Sequence, residues 1–245
     1  MEYGVWLEPA DGKEENMIYL DHAATTPTAP EARAAMEPYY HKRYGNASTP
    51  YEFGQRSRQA VENARTVIAD TLGVQPSEIY FTSGGTESDN WALKSTMEAY
   101  AYKGKHMITT QIEHHAIGNT CEYLRKRGFE VTELPVDREG RISMEELERA
   151  IRPDTVLLSI MCANNEIGTL QDMETIGGIA QRRGIIFHTD AVQAYGQIPI
   201  DVKKWHVHML SASSHKFYGP KGCGFLYMKQ GLRTESMIHG GAQES

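Results

Sequence analysis

Short β-rich runs alternate with longer helical patterns from about residue 58 onward, and this alternation constrains the fold more than any other feature of the sequence. The predicted strands are Ile79–Thr82, His106–Thr110, Glu130–Leu134, Thr155–Met161, Ile185–Thr189, Met209–Ala212 and Gly224–Tyr227. The predicted helices are Arg58–Leu72, Glu87–Tyr102, His115–Arg127, Met144–Ala150 and Glu174–Arg183. Because strands that alternate with helices are typical of βαβ units, we expect one α/β domain with a mostly parallel sheet.

The charge balance makes some classes of partner improbable. The chain has 25 Lys and Arg residues against 32 Asp and Glu residues, a formal net charge of −7, and no block of basic residues. We therefore expect neither nucleic acid nor an anionic membrane as its main partner. The longest apolar run, residues 156–163, is interrupted by Ser159 and is much shorter than the roughly 20 residues of a membrane-spanning helix.

The N-terminus and the cysteines bear on location. Residues 1–16 carry five acidic side chains and lack the basic head and apolar centre of a signal peptide. We expect a flexible acidic extension at 1–16 and a single domain at 17–245. The three cysteines have no CxxC spacing, which supports neither a disulfide framework nor a zinc knuckle. A cytoplasmic protein is the simplest interpretation.

Polar, chemically capable residues follow five of the predicted strands. The segments are Ser83-Gly84-Gly85-Thr86, Glu113-His114-His115, Asn164-Asn165-Glu166, Asp190-Ala191-Val192-Gln193 and Ser213-Ser214-His215-Lys216. In open α/β sheets, ligands bind beyond the carboxyl ends of the strands. We therefore expect these segments to meet at one site.

Two of the segments suggest phosphate binding and ring binding. Gly85 and Thr86 lie between a strand and a helix, where backbone amides and the helix dipole can hold a phosphate. The alternative is an ordinary glycine turn in which Thr86 caps the helix. Asp190 ends a β-rich run, and its carboxylate can pair with a protonated heteroaromatic nitrogen or can cap the next helix.

Lys216 and His114 supply reactive groups. A lysine fixed near cationic or apolar groups can form a Schiff base with an aldehyde, although most lysines are solvated surface charges. A phosphate cradle, an aspartate for a ring nitrogen and a lysine for an aldehyde together predict pyridoxal 5'-phosphate. His114 can stack on the ring and move protons, and a metal site at the neighbouring histidines is a weaker interpretation.

Four segments resemble the cysteine desulfurases, which are class V aminotransferases of the fold-type I pyridoxal-phosphate enzymes. They are Tyr19-Leu20-Asp21-His22-Ala23-Ala24-Thr25-Thr26-Pro27, Phe81-Thr82-Ser83-Gly84-Gly85-Thr86-Glu87-Ser88-Asp89-Asn90, Asn164-Asn165-Glu166-Ile167-Gly168 and Ser214-His215-Lys216-Phe217-Tyr218-Gly219-Pro220-Lys221-Gly222. The resemblance runs from about Ile18 to Gly241. It implies a three-layer αβα fold with a mostly parallel seven-stranded sheet.

The resemblance also implies a role for each site residue. Lys216 matches the lysine that binds the cofactor aldehyde, and Asp190 matches the partner of the pyridinium nitrogen. His114 matches the histidine that stacks on the cofactor and serves in acid/base steps. The phosphate-binding positions are Gly85, Thr86, Ser213 and His215. Asn165 and Gln193 match positions that contact the ring substituents and the substrate.

The implied reaction converts L-cysteine to L-alanine and passes the sulfur to an enzyme thiol and then to an acceptor protein, in a homodimeric enzyme. The family has a C-terminal small domain that supplies this thiol, and we expect that domain to be absent from this chain. None of Cys121, Cys162 and Cys223 matches the family's nucleophile. Selenocysteine lyase, another class V aminotransferase activity, and a non-catalytic partner-binding fragment remain as alternatives.

Overall fold

A computed structural model describes residues 18–240, so the acidic extension predicted at 1–16 lies outside the described residues. The strands are β1 (Ile79–Thr82), β2 (His106–Thr110), β3 (Glu130–Leu134), β4 (Thr155–Ser159), β5 (Ile186–Asp190), β6 (Met209–Ser213) and β7 (Gly224–Met228). The helices are α1 (Pro30–His41), α2 (Glu52–Leu72), α3 (Gly85–Ala99), α4 (His115–Lys126), α5 (Met144–Ala150) and α6 (Met173–Arg183).

The strands of this range form one seven-stranded sheet in the order β1-β7-β6-β5-β4-β2-β3. The pairs from β3 to β6 are parallel, whereas β7 is antiparallel to both β6 and β1. Only β7 therefore runs against the other described strands, and the prediction of a mostly parallel sheet is confirmed.

Helices cover both faces of the sheet. Successive side chains of a strand point to opposite faces, and β4 shows this clearly: Leu158 packs in the core with α2, α5 and α6, whereas Leu157 packs with α3 and α4. Phe187 and Ile186 of β5 divide between the same two cores. The result is the expected three-layer αβα fold.

Helices α1 and α2 differ from the prediction. Helix α1 was not predicted: it buries no residue, and it contains Pro38, a residue type that usually ends a helix. Helix α2 begins six residues earlier than predicted. Its first turns bury Gly54 and Ser57, which are not apolar helix formers. A Cβ at position 54 would lie 1.9 Å from the Thr49 Oγ1 atom, so close packing requires glycine there.

The ends of β4 and β5 also shift. Strand β5 starts at Ile186 rather than Ile185, because the Ile185 N–H completes the end of α6 by donating to the Ala180 carbonyl at 3.0 Å. Strand β4 ends at Ser159 rather than Met161. Smaller shifts of one to three residues occur at the ends of α3, α4, α6, β6 and β7. No helix in residues 18–240 is long and apolar enough to cross a membrane.

Candidate functional site

A cavity of about 730 Å³ opens at the carboxyl ends of the strands. All the site residues predicted from the sequence line it: Gly85, Thr86, His114, Asn165, Asp190, Gln193, Ser213, His215 and Lys216. They follow β1, β2, β4, β5 and β6, so the parallel sheet brings together residues that lie up to 131 positions apart in the chain.

The turn from β1 into α3 forms one wall. Gly84 has φ 151°, and a Cβ at Gly85 would lie 2.5 Å from the Val192 Cγ2 atom, so both positions favour glycine. Gly84 is the N-cap of α3, and the interpretation of Thr86 as the N-cap is therefore wrong. Because the first N–H groups of a helix have no acceptor within it, this turn presents donors for an anion.

Asp190 is the last residue of β5 and is 5% exposed. Its Oδ1 atom accepts a hydrogen bond from the Val192 N–H at 2.8 Å, so the carboxylate caps this turn and also lines the cavity. Burial raises the pKa of Asp190, while the Val192 N–H, His114 and Lys216 each act to lower it. The segment after β5 is a turn and not a helix, so the interpretation of Asp190 as a helix cap is wrong, whereas its place in the cavity is compatible with pairing to a ring nitrogen.

Lys216 ends a short 3₁₀ turn that follows β6. Its ammonium donates to the Ala24 carbonyl at 3.0 Å and also to the Ala23 carbonyl. Burial lowers the pKa of Lys216, and the carboxylate of Asp190 opposes this shift. A lowered pKa increases the neutral fraction of the amine, which is the form that attacks an aldehyde.

His215 and Ser213 lie beside the glycine turn. The Nδ1 atom of His215 is 3.1 Å from the Thr25 Oγ1 atom, and the His215 carbonyl accepts the Thr26 N–H at 2.8 Å. Burial lowers the pKa of His215, and the positive charges of Lys216 and Lys221 lower it further. A neutral imidazole can still donate one hydrogen bond to an anion.

His114 is the N-cap of α4. Its Nδ1 atom accepts the Ala116 N–H at 3.1 Å, so a neutral ring carries its hydrogen on Nε2. On the same rim, the Gln193 amide donates to the Ala23 carbonyl at 2.8 Å. Asn165 donates to the Glu166 carboxylate at 2.7 Å. These side chains are held by local hydrogen bonds at the mouth of the cavity.

The cavity is also lined by residues that were not predicted as site residues from the sequence. Residues 23–25 line the cavity, and the backbone carbonyls of Ala23 and Ala24 accept hydrogen bonds from Lys216, which motif reasoning on side chains does not detect. Asp89 also lines it, four residues after Gly85 in α3 and hence on the same helix face. His22 does not line the cavity, and its ring centroid lies 5.4 Å from that of Tyr19.

Two of the three cysteines are poor nucleophiles in this fold. Cys121 packs inside α4, as expected, and Cys162 follows β4. Burial raises the pKa of each thiol to about 12. Both are therefore protonated at neutral pH, when the reactive form of a cysteine is the thiolate. Within residues 18–240, no group of three His, Cys, Asp or Glu side chains is arranged to hold a metal ion.

The family profile described as Aminotransferase class-V matches residues 18–244. The chain belongs to the class-V aminotransferase family. The relatives named below are called cysteine desulfurases, in agreement with the sequence resemblance.

Cysteine desulfurase IscS of Methanosarcina thermophila is 55% identical over 231 residues, which are 94% of this chain and 57% of that protein. Cysteine desulfurase IscS of Clostridium botulinum (strain Kyoto / Type A2) is 50% identical over 227 residues, 93% of this chain and 57% of that protein. The chain thus spans about 57% of the length of these curated relatives.

Two solved structures share the fold. The structure titled SspA in complex with cysteine has a TM-score of 0.90 and 43% identity, covering 92% of this chain and 66% of the other. A NifS-like protein has a TM-score of 0.90 and 42% identity, covering 93% of this chain and 63% of the other.

Class-V aminotransferases are pyridoxal-phosphate enzymes, and the cavity of this family member fits that cofactor. The Gly84-Gly85 turn leaves no room for a side chain at position 85 but presents helix N-terminal donors. A buried carboxylate, Asp190, and a partly buried amine, Lys216, line the same space. These are the three kinds of group that hold the phosphate, the ring nitrogen and the aldehyde.

Proposed function

We propose that this chain provides the cofactor-binding site of a cysteine desulfurase. The observation that carries the proposal is that Lys216, Asp190 and the glycine turn at Gly85 line one cavity, in a chain whose relatives are named cysteine desulfurases. When bound, pyridoxal 5'-phosphate supplies the electron sink for breaking bonds at the substrate carbons.

In this proposal, each site residue has one task. Lys216 holds the cofactor aldehyde, and Asp190 accepts a hydrogen bond from the protonated ring nitrogen. His114 stacks on the ring and transfers protons through its Nε2 atom, because its Nδ1 atom is occupied by the α4 cap. Asn165 and Gln193 contact the ring substituents and the substrate. The phosphate ligands are the Gly85 backbone, Thr86, Ser213 and His215.

The proposed substrate is L-cysteine. Its C–S bond breaks, the sulfur joins an enzyme thiolate as a persulfide, and protonation of the remaining carbon skeleton yields L-alanine. A sulfur-acceptor protein then takes the sulfur for iron–sulfur clusters or thio-cofactors. Burial argues against Cys121 and Cys162 as this thiolate.

A homodimer in the cytoplasm is part of the proposal. Support for the dimer comes from large apolar side chains left exposed near the N-terminal segment and the first two helices, among them Ile18, Leu20, Tyr40, Tyr44 and Tyr51. Exposed apolar patches commonly mark protein interfaces. Three free cysteines agree with a reducing compartment. Sedimentation equilibrium would give a monomer mass if the dimer proposal is wrong.

The test is a titration of the chain with pyridoxal phosphate, followed by visible absorbance. We expect a bound chromophore in the wild type and in Lys203→Ala, which removes an exposed lysine outside the cavity. Lys216→Ala should lose the chromophore that depends on a covalent link. Equal spectra in all three proteins would refute the assignment of Lys216.

Products then separate the candidate activities. Supplied with cysteine, a desulfurase gives alanine and reducible sulfur, whereas a transaminase gives a keto acid. Selenide from selenocysteine at a much higher rate than sulfide from cysteine would favour a selenocysteine lyase. A chain that binds no cofactor but co-purifies with a stoichiometric partner would instead be a non-catalytic binding fragment.

A further inference from the structure

We propose that, of the two buried aspartates that line the cavity, Asp89 keeps its proton and Asp190 carries the negative charge. Asp89 is in this view a positioning residue that acts through Asp190. The proposal rests on the proposed function, because Asp190 must be ionised to accept a hydrogen bond from a protonated ring nitrogen.

Asp89 is buried without a compensating cation. It lies in α3, is 1% exposed and lines the cavity. Its Oδ1 atom has no hydrogen-bond partner among residues 18–240. An ionised carboxylate in such a place carries a large desolvation penalty, which protonation removes.

The nearest basic group to Asp89 is the His188 ring, whose Nε2 atom lies 3.7 Å from the Asp89 Oδ1 atom. Both ring nitrogens already have other partners, since Nδ1 is 2.9 Å from the Ser159 hydroxyl and Nε2 is 3.0 Å from the Ser211 hydroxyl. Burial lowers the pKa of His188 to about 3. His188 is therefore neutral and does not form an ion pair with Asp89.

Neighbouring ionisable groups disfavour ionisation of Asp89 but favour ionisation of Asp190. Burial raises the pKa of Asp89, the carboxyls of Asp190 and Glu113 raise it further, and a hydrogen bond with Ser211 opposes them. Burial also raises the pKa of Asp190, but the Val192 N–H at 2.8 Å, His114 and Lys216 all act to lower it. When two carboxyls interact closely, one ionises first and the other then holds its proton strongly. The proton stays on the carboxyl whose surroundings favour the charged form less. That carboxyl belongs to Asp89.

Carboxyl NMR of the chain without added cofactor tests the protonation state directly. Aspartate is labelled with ¹³C at the side-chain carboxyl, so Glu113 contributes no signal. We expect one aspartate carboxyl to keep the chemical shift of a protonated acid at neutral pH, and Asp89→Asn to remove that signal. Ionised shifts for every aspartate at neutral pH would overturn the proposal. If that variant does not fold, the wild-type titration still tests whether an aspartate keeps its proton, and the comparison of cofactor affinities below tests which one.

Cofactor affinity tests the positioning role. Asn resembles a protonated aspartate in shape and charge, so Asp89→Asn should bind pyridoxal phosphate within about threefold of the wild type. Asp190→Asn, the matched change at the charged position, should weaken binding by about tenfold to a hundredfold. The reverse order would place the charge on Asp89. Failure of the wild type to bind cofactor would refute the proposed function while leaving the NMR result intact.

Discussion

Glu113 should make the stability of this protein depend on pH, and Glu113→Gln should remove that dependence. Its Oε1 atom accepts the Met161 N–H at 2.9 Å and the Thr110 hydroxyl at 2.8 Å, which joins the loop after β2 to the segment after β4. The other oxygen, Oε2, is sealed from solvent and has no partner among the described residues. Gln keeps the acceptor and mimics the protonated acid.

The direction and the magnitude of this effect on the free energy of unfolding follow from the pKa of Glu113. Burial raises the pKa of Glu113 from 4.5 to about 8, so the folded chain holds a proton that the unfolded chain releases. The contribution of Glu113 to stability is therefore full below pH 4.5 and is lost as the pH rises to about 8. The slope is about 1.4 kcal/mol per pH unit, and the total is at most about 5 kcal/mol.

Urea unfolding across this pH range measures the effect. We expect the free energy of unfolding of Glu113→Gln to exceed that of the wild type by a margin that grows with pH. Glu98→Gln, a change at an exposed glutamate of α3, should run parallel to the wild type. A constant difference between Glu113→Gln and the wild type at every pH would refute the reasoning.

Three further predictions concern stability and thiol reactivity. His114→Ala should lower the free energy of unfolding by about 1 kcal/mol, because the α4 cap is lost. His114→Asn should lower it less, because Asn can also cap a helix. Equal losses of the two variants in thermal unfolding would contradict the capping role of His114. Gly54→Ala should lower the free energy of unfolding by about 1–3 kcal/mol, because the new methyl group collides with Thr49. In Gly118→Ala of α4 the new methyl group meets nothing within 4 Å, so this change should raise the free energy of unfolding by about 0.5–1 kcal/mol. Iodoacetamide should label partly exposed Cys223 before the two buried cysteines, as peptide mass mapping would detect.

Sequence reasoning identified the parts of the site that parallel strand ends bring together. Asp190 and Lys216 could be placed because each follows a strand with clear β-rich composition, and the carboxyl ends of such strands meet. Helix α1 and the first turns of α2 were not predicted. Helix α1 buries no residue, and the buried residues in the first turns of α2 are Gly54 and Ser57, which are not apolar and so do not continue the apolar pattern of that helix.

Other contributors depend on tertiary packing. The carbonyls of Ala23 and Ala24 reach Lys216 across a separation of more than 190 residues, and a backbone group has no sequence signature. In the sequence, nothing distinguishes Asp89 from an ordinary polar residue of a helix. In the fold, Asp89 is buried and interacts with Asp190. Burial and electrostatic neighbours therefore decide its protonation, and both follow from the three-dimensional arrangement.

The most direct test of the account is borohydride reduction of the chain mixed with pyridoxal phosphate, followed by mass mapping of the modified lysine. We predict a single reduced adduct on Lys216, because this amine lines the cavity with Asp190 and has a lowered pKa. Lys221 lines the same cavity and is the internal comparison. An adduct on Lys221, or label spread over exposed lysines, would contradict the assignment of this cavity as the cofactor site.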